Sequence, residues 1–151
     1  MLRDQRIISF FGLTVLYFFF DQLTKFVARD VLGTQSFDFG LIRFDLVYNT
    51  GAAYGLFANQ TIILLGLGFL AIIYLLYNVR LFVKNKIEFL AYSFLLAGAS
   101  GNTIDRLVFG KVTDFINIHI IPVFNFADVF LNLGIILILY HWFFYDRKQL
   151  D

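Results

Sequence analysis

The sequence predicts an all-α integral membrane protein with four transmembrane helices and a small extracytoplasmic β-sheet region, forming a single domain over residues 1–151. Of the 151 residues, 60% are hydrophobic and 20% aromatic, where a soluble domain is roughly half apolar. Mean hydropathy is +0.76. Four apolar stretches each approach the roughly 20 residues that a bilayer requires, which leaves too little chain for a separate soluble domain.

The first stretch runs uncharged from Ile7 to Phe20 and resumes beyond Asp21 and Lys25 as far as Ala28. Arg3 and Arg6 ahead of an apolar run also fit a signal peptide, but no small-residue cleavage site follows, so the segment is expected to remain as an anchor helix. Thr61 to Val79, Phe89 to Arg106 and Phe126 to Tyr145 supply the other three spans. An even number of spans puts both termini on one side. Arg3 and Arg6, then Arg80, Lys84 and Lys86, then Arg147 and Lys148 flank the spans on that side, which the positive-inside rule makes cytoplasmic. The other two loops then face outwards. In the first, Arg29 to Gln60, the residues Ile42, Phe44, Leu46 and Tyr48 alternate with Arg43, Asp45 and Val47, the period of a strand. In the second, Leu107 to Asn125, alternation through Ile116, Asn117, Ile118, His119 and Ile120 before Pro122 predicts extended chain.

Composition removes several function classes. A net charge of +1, with basic residues beside helix ends, provides no stripe for nucleic acid. The absence of cysteine excludes a disulfide, a thiolate nucleophile and a thiolate metal site. His119 and His141 are the only histidines and no His-Glu-x-x-His occurs, so neither a metal nor another cofactor is expected. Ser9, Ser36, Ser93 and Ser100 lie in no Gly-x-Ser-x-Gly elbow. Carboxylates remain: ten aspartates and a single glutamate, Glu88. Two carboxylates held close can share a proton, so that one ion accepts a proton from water while its neutral partner polarises a carbonyl.

Charge inside a membrane segment is costly and points to function by default. Asp21 falls late in the first span, Asn102, Asp105 and Arg106 end the third, Asp114 lies in the outer loop, and Asn125, Asp128 and Asn132 open the fourth. All belong at or just beneath the outer surface, and spacings of three and four put each set on one helix face. Local structure also accounts for some of them. Asp21 and Lys25 are spaced for an ion pair, Asp105 and Arg106 for a pair closing the third helix, and Asn125 for an N-cap with Asp128 at the positive dipole end. That cap leaves Asn132 without a partner. Ala97-Gly98-Ala99-Ser100-Gly101 is expected to allow close helix packing. His119 is read as a satisfied polar residue, and His141, near Trp142 and Tyr145, as part of an interfacial belt.

Asp21-Gln22-Leu23-Thr24-Lys25, Asn49-Thr50-Gly51-Ala52-Ala53-Tyr54-Gly55, Gly101-Asn102-Thr103-Ile104-Asp105-Arg106, Val112-Thr113-Asp114-Phe115-Ile116 and Phe124-Asn125-Phe126-Ala127-Asp128 stand in one order along nearly the whole chain. In this the chain resembles the lipoprotein signal peptidases, or signal peptidase II. It departs from their pattern at Ser100, where leucine is common, and at Val129, where a small hydroxyl residue is common. The resemblance implies an aspartic endopeptidase of the bacterial cytoplasmic membrane. Its substrate would be a diacylglyceryl-modified prolipoprotein, cut just before the lipid-bearing cysteine at the outer face, with membrane lipid as the other partner and no oligomer required. The implied catalytic pair is Asp114 and Asp128. The implied supporting residues are Asp21, Asn49, Gly51, Asn102, Asp105, Arg106, Asn125 and Ala127. On this reading one aspartate activates water, the other is protonated, Asn125 orients the pair, and Arg106 with Asn49 and Asn102 holds the substrate backbone. The rival readings are a small ion- or proton-coupled transporter and a non-catalytic scaffold. Transporter sites lie near the midplane of repeated halves, whereas these acids gather at one face and no repeat is visible.

Overall fold

Four long helices carry the chain back and forth, and a small sheet closes one end. In the computed structural model, which describes residues 2–33, 35–51, 59–82 and 85–146, helix α1 spans Leu2–Val31, α2 Thr61–Phe82, α3 Lys86–Phe109 and α4 Phe126–His141, followed by a π-helical turn, Trp142–Asp146. Ala52, Ala53, Tyr54 and Gly55 of the second motif lie outside the described residues, as do the flanking Lys84, Arg147 and Lys148 and the side chain of Arg3. Strands β1 (Phe37–Asp38), β2 (Arg43–Asn49) and β3 (Val112–Asn117) form an antiparallel sheet in the order β1-β2-β3.

Among the described residues, three helices are long and apolar enough to cross a membrane: Asp4–Val31, Thr61–Phe82 and Phe126–Phe144. The third expected span, α3, is as long but more polar, and its position explains why. It packs against α1, α2 and α4 and buries Ser93, Asn102, Thr103 and Asp105. A helix enclosed by protein does not meet lipid with those groups. By contrast α2 buries only Leu75 and Phe82 and turns Ile62, Leu70 and Tyr77 outwards.

The helices overrun the expected ends. Helix α3 continues past Arg106 to Phe109 and stops at Gly110, whose φ of 70° makes a left-handed cap with its N–H on the Arg106 carbonyl at 3.0 Å. Extended chain therefore begins at Val112, and the strand ends at Asn117 rather than following the alternation to Ile120. The chain then turns through His119, φ 66°, and Phe124 pairs back onto Ile116.

Two apolar clusters bracket the polar interior. Phe10, Leu75, Phe82 and Leu96 pack together at the end where Asn85 caps α3. Ala28, Leu32 and Phe115, with Phe44 and Leu46 against them, seat the sheet on the end of α1. The small-residue run works as expected, since Ala97, Gly98 and Gly101 are buried and a Cβ on Gly98 would lie 2.5 Å from the Ala127 carbonyl. His141 makes a 2.8 Å contact from Nε2 to Asn85 Nδ2, tying the end of α4 to the start of α3.

Candidate active site

Asn125 does two jobs at once. Its Oδ1 accepts from the Asp128 backbone N–H at 3.0 Å while its own N–H donates to Asp128 Oδ2 at 3.1 Å, a capping box that starts α4. Its Nδ2 donates to Asp114 Oδ1 at 2.6 Å. One fully buried amide thus links the helix that carries Asp128 to the strand that carries Asp114. Asp128 Oδ1 accepts from Asn102 Nδ2 at 2.7 Å, and Asp114 Oδ2 accepts from Asn49 Nδ2 at 3.0 Å. Strand register supplies the last contact, for Asn49 lies opposite Val112 and Val47 opposite Asp114. Asp114 is 2% exposed. Burial and the neighbouring Asp128 charge push its carboxyl up to about 7, against the pull of Asn49, Asn125 and Lys25.

Helix α1 supports this centre from behind. Asp21 and Lys25 do pair, at 2.9 Å, but both are completely buried. Asp21 Oδ1 also accepts from the Ala127 N–H at 2.7 Å, holding the first turn of α4. Lys25 Nζ donates to Asn102 Oδ1 at 2.9 Å and lies 3.7 Å from Asp105. The expected Asp105–Arg106 pair is replaced. Asp105 faces Lys25 and Arg29 and accepts from the Thr113 N–H at 2.9 Å, whereas Arg106 donates to the Gly51 carbonyl at 2.8 Å. Successive helix residues point about 100° apart, so neighbours in sequence serve different sides of α3.

A cleft of about 880 Å³ opens between α2, α3, α4 and the sheet. Of the sequence-predicted residues, Asn49, Gly51, Asn102, Arg106, Asp114 and Asp128 line it; Asp21, Asp105, Asn125 and Ala127 do not, and stand buried behind it. Asn49 and Asn102 line the cleft with their amide donors turned to the two aspartates. Arg106 Nε is buried with no hydrogen-bond partner among the described residues. Asn132 also lines the cleft, and its partner is the Asp128 carbonyl at 2.8 Å. Exposed His119 is not part of the lining. Val129 is, whereas Ser100 faces a separate apolar groove against α1 and α2. Sequence reasoning missed Arg29, whose Nη1 is 2.8 Å from Thr113 Oγ1, and treated Lys25 as a local partner only. The repeat Asp21, Lys25, Arg29, four residues apart on one face, is the signal that marks them. Among the described residues, no group of three or more His, Cys, Asp or Glu is arranged to hold a metal ion.

Known proteins resemble this chain in sequence and fold. The profile of a family described as signal peptidase (SPase) II matches residues 13–144. The chain belongs to the signal peptidase II family. A lipoprotein signal peptidase of Microcystis aeruginosa is 39% identical over 148 aligned residues, covering 86% of this chain and 88% of the relative. That of Thermodesulfovibrio yellowstonii is 40% identical, covering 80% and 84%. Two solved bacterial membrane enzymes superpose with TM-scores of 0.79 and 0.75 at 32% and 30% identity, covering 89% and 87% of this chain and 87% and 90% of theirs. As a signal peptidase II the protein is a membrane-associated protease, and nothing in these likenesses supports the transporter alternative.

Proposed function

We propose that this signal peptidase is an aspartic endopeptidase that releases the signal peptide of diacylglyceryl-modified prolipoproteins immediately before the lipidated cysteine, with Asp114 and Asp128 as its catalytic pair. The observation that carries the reading is that both carboxylates line one cleft, are joined through Asn125, and sit where burial raises Asp114 to about 7. A proton is then available to the pair near neutral pH. Protonated Asp114 polarises the scissile carbonyl while Asp128, already oriented by Asn102 and the Asn125 backbone, takes a proton from water. The proton on Asp114 passes to the leaving amine, so no covalent intermediate forms. Arg106 holds the substrate backbone beside Gly51, and Asn49, Asn102 and Asn125 keep the two carboxyls in place. Leu64, Leu67, Leu131 and Leu133 make the cleft wall apolar, which suits the lipid-modified side of the substrate.

In this reading α3 is the fourth span, sheltered by the other three, with both termini in the cytoplasm and the cleft near the outer face of a bacterial cytoplasmic membrane. One chain supplies every residue named, so no oligomer is required. The test is conversion of a purified diacylglyceryl prolipoprotein by the purified protein alone in detergent, with chelator and without nucleotide or gradient. Stoichiometric release of the intact signal peptide is expected. A need for metal, nucleotide or gradient contradicts the mechanism, and cleavage away from the lipidated cysteine contradicts the substrate assignment.

A further inference from the structure

Lys25 is the least explained charge in the molecule. It is wholly buried, does not line the cleft, and therefore cannot touch substrate. Two carboxylates, Asp21 at 2.9 Å and Asp105 at 3.7 Å, offset its charge. Its shortest contact outside α1 is to a neutral group, Asn102 Oδ1, also at 2.9 Å. The opposite end of that amide donates to Asp128 Oδ1 at 2.7 Å.

We infer that Lys25 is a positioning residue of the dyad: its ammonium fixes which way the Asn102 amide faces, and through that amide the carboxylate of Asp128. An asparagine side chain is nearly symmetric in shape, so its sense is set by its partners. Here Asn102 Oδ1 meets two donors, the Lys25 ammonium and Asn125 Nδ2 at 3.2 Å, and its Nδ2 meets only the carboxylate. Reversal would set Nδ2 against both donors and Oδ1 against Asp128. Without the ammonium, Asn125 alone opposes reversal, and its Nδ2 is already committed to Asp114 at 2.6 Å. Charge acts alongside geometry. The charged groups around the dyad are Lys25 and Asp21 on α1, Asp105 and Arg106 on α3, and Arg29 on the far side of Asp105. Lys25 attracts negative charge on Asp114, so its loss leaves Asp114 holding its proton to higher pH.

The inference rests on the Asp114/Asp128 assignment, and the experiment separates the two. Lys25→Met keeps length and removes charge. Asp21→Asn/Lys25→Met removes the charge together with its counterion, leaving the Arg29–Asp105 pair and an acceptor for the Ala127 N–H. Cleavage of diacylglyceryl prolipoprotein is measured across pH for both, with monodispersity and thermal unfolding in detergent as folding checks. In both variants kcat is expected to fall about 100-fold with KM within about twofold. The alkaline limb of the profile is expected to move up by about one pH unit in Lys25→Met and by less in the double variant, which also loses the Asp21 charge. A folded variant with wild-type kcat, or a folded Lys25→Met with a lowered kcat and an unmoved limb, overturns the inference. So does failure of both variants to fold, because Lys25 is then structural only. Asp128→Asn is assayed beside them: if it remains active, the dyad assignment itself fails, whatever Lys25 does.

Discussion

Asp114 holds its proton because its two amide donors, Asn49 and Asn125, are too few for a charge buried beside another carboxylate. This has a consequence for stability. The folded protein binds the Asp114 proton up to about pH 7, while the unfolded chain releases it near the ordinary aspartate value of 3.8. Between those values the native state carries the extra proton, so stability falls as pH rises through the window and levels off above about 7. Asp114→Asn removes that slope. Thermal or denaturant unfolding in detergent should show wild type losing about 2 kcal/mol relative to Asp114→Asn between pH 5 and pH 8; parallel curves would mean that Asp114 is ionised throughout. At this scale the sequence showed a good deal. The capping box at Asn125 and Asp128 is a local spacing, legible without a fold. The Asn49–Asp114 bond depends on the register of β2 against β3, 65 residues apart, and no local pattern encodes it.

Helix packing decides whether those residues meet. Gly98 lets α3 approach α4 closely, since a Cβ there would lie 2.5 Å from the Ala127 carbonyl and 2.8 Å from Leu131 Cγ. The first of these is backbone and cannot rotate away. Gly98→Ala should therefore push the start of α4 off α3, costing about 1–3 kcal/mol and most of the activity through displacement of Asp128. Gly12→Ala and Gly66→Ala have nothing within 4 Å of the new methyl and should leave both properties unchanged. Equal tolerance at Gly98 would show that the interface relaxes. The small-residue run announced this contact in the sequence, but the helix ends were hidden. Leu107, Val108 and Phe109 suit a helix or a strand equally, and only Gly110 in its left-handed cap decides between them. Extended chain was thus expected from Leu107, where the helix still runs, and its alternation was expected to continue to Ile120, beyond the strand's end at Asn117.

For the whole molecule, apolar composition and span lengths made the helices legible, and the third one shows the limit of that signal. Its polar face looks unfit for lipid until α1, α2 and α4 are seen around it. The proposed orientation is open to a direct check, because the native chain has no cysteine. A cysteine at the exposed Lys86 position should be shielded from an impermeant thiol reagent in intact cells, and one at the exposed Gln35 position should react. The opposite labelling would put the cleft on the cytoplasmic face and remove the prolipoprotein reading. The central claim, that the two aspartates are one catalytic unit, is tested most directly by conversion of diacylglyceryl prolipoprotein by Asp114→Asn, Asp128→Asn and the double variant, each shown to be monodisperse and folded. Both carboxylates must cycle between acid and base, so each single change should abolish cleavage as completely as the double change does. A folded single variant that cleaves near the wild-type rate would contradict the account.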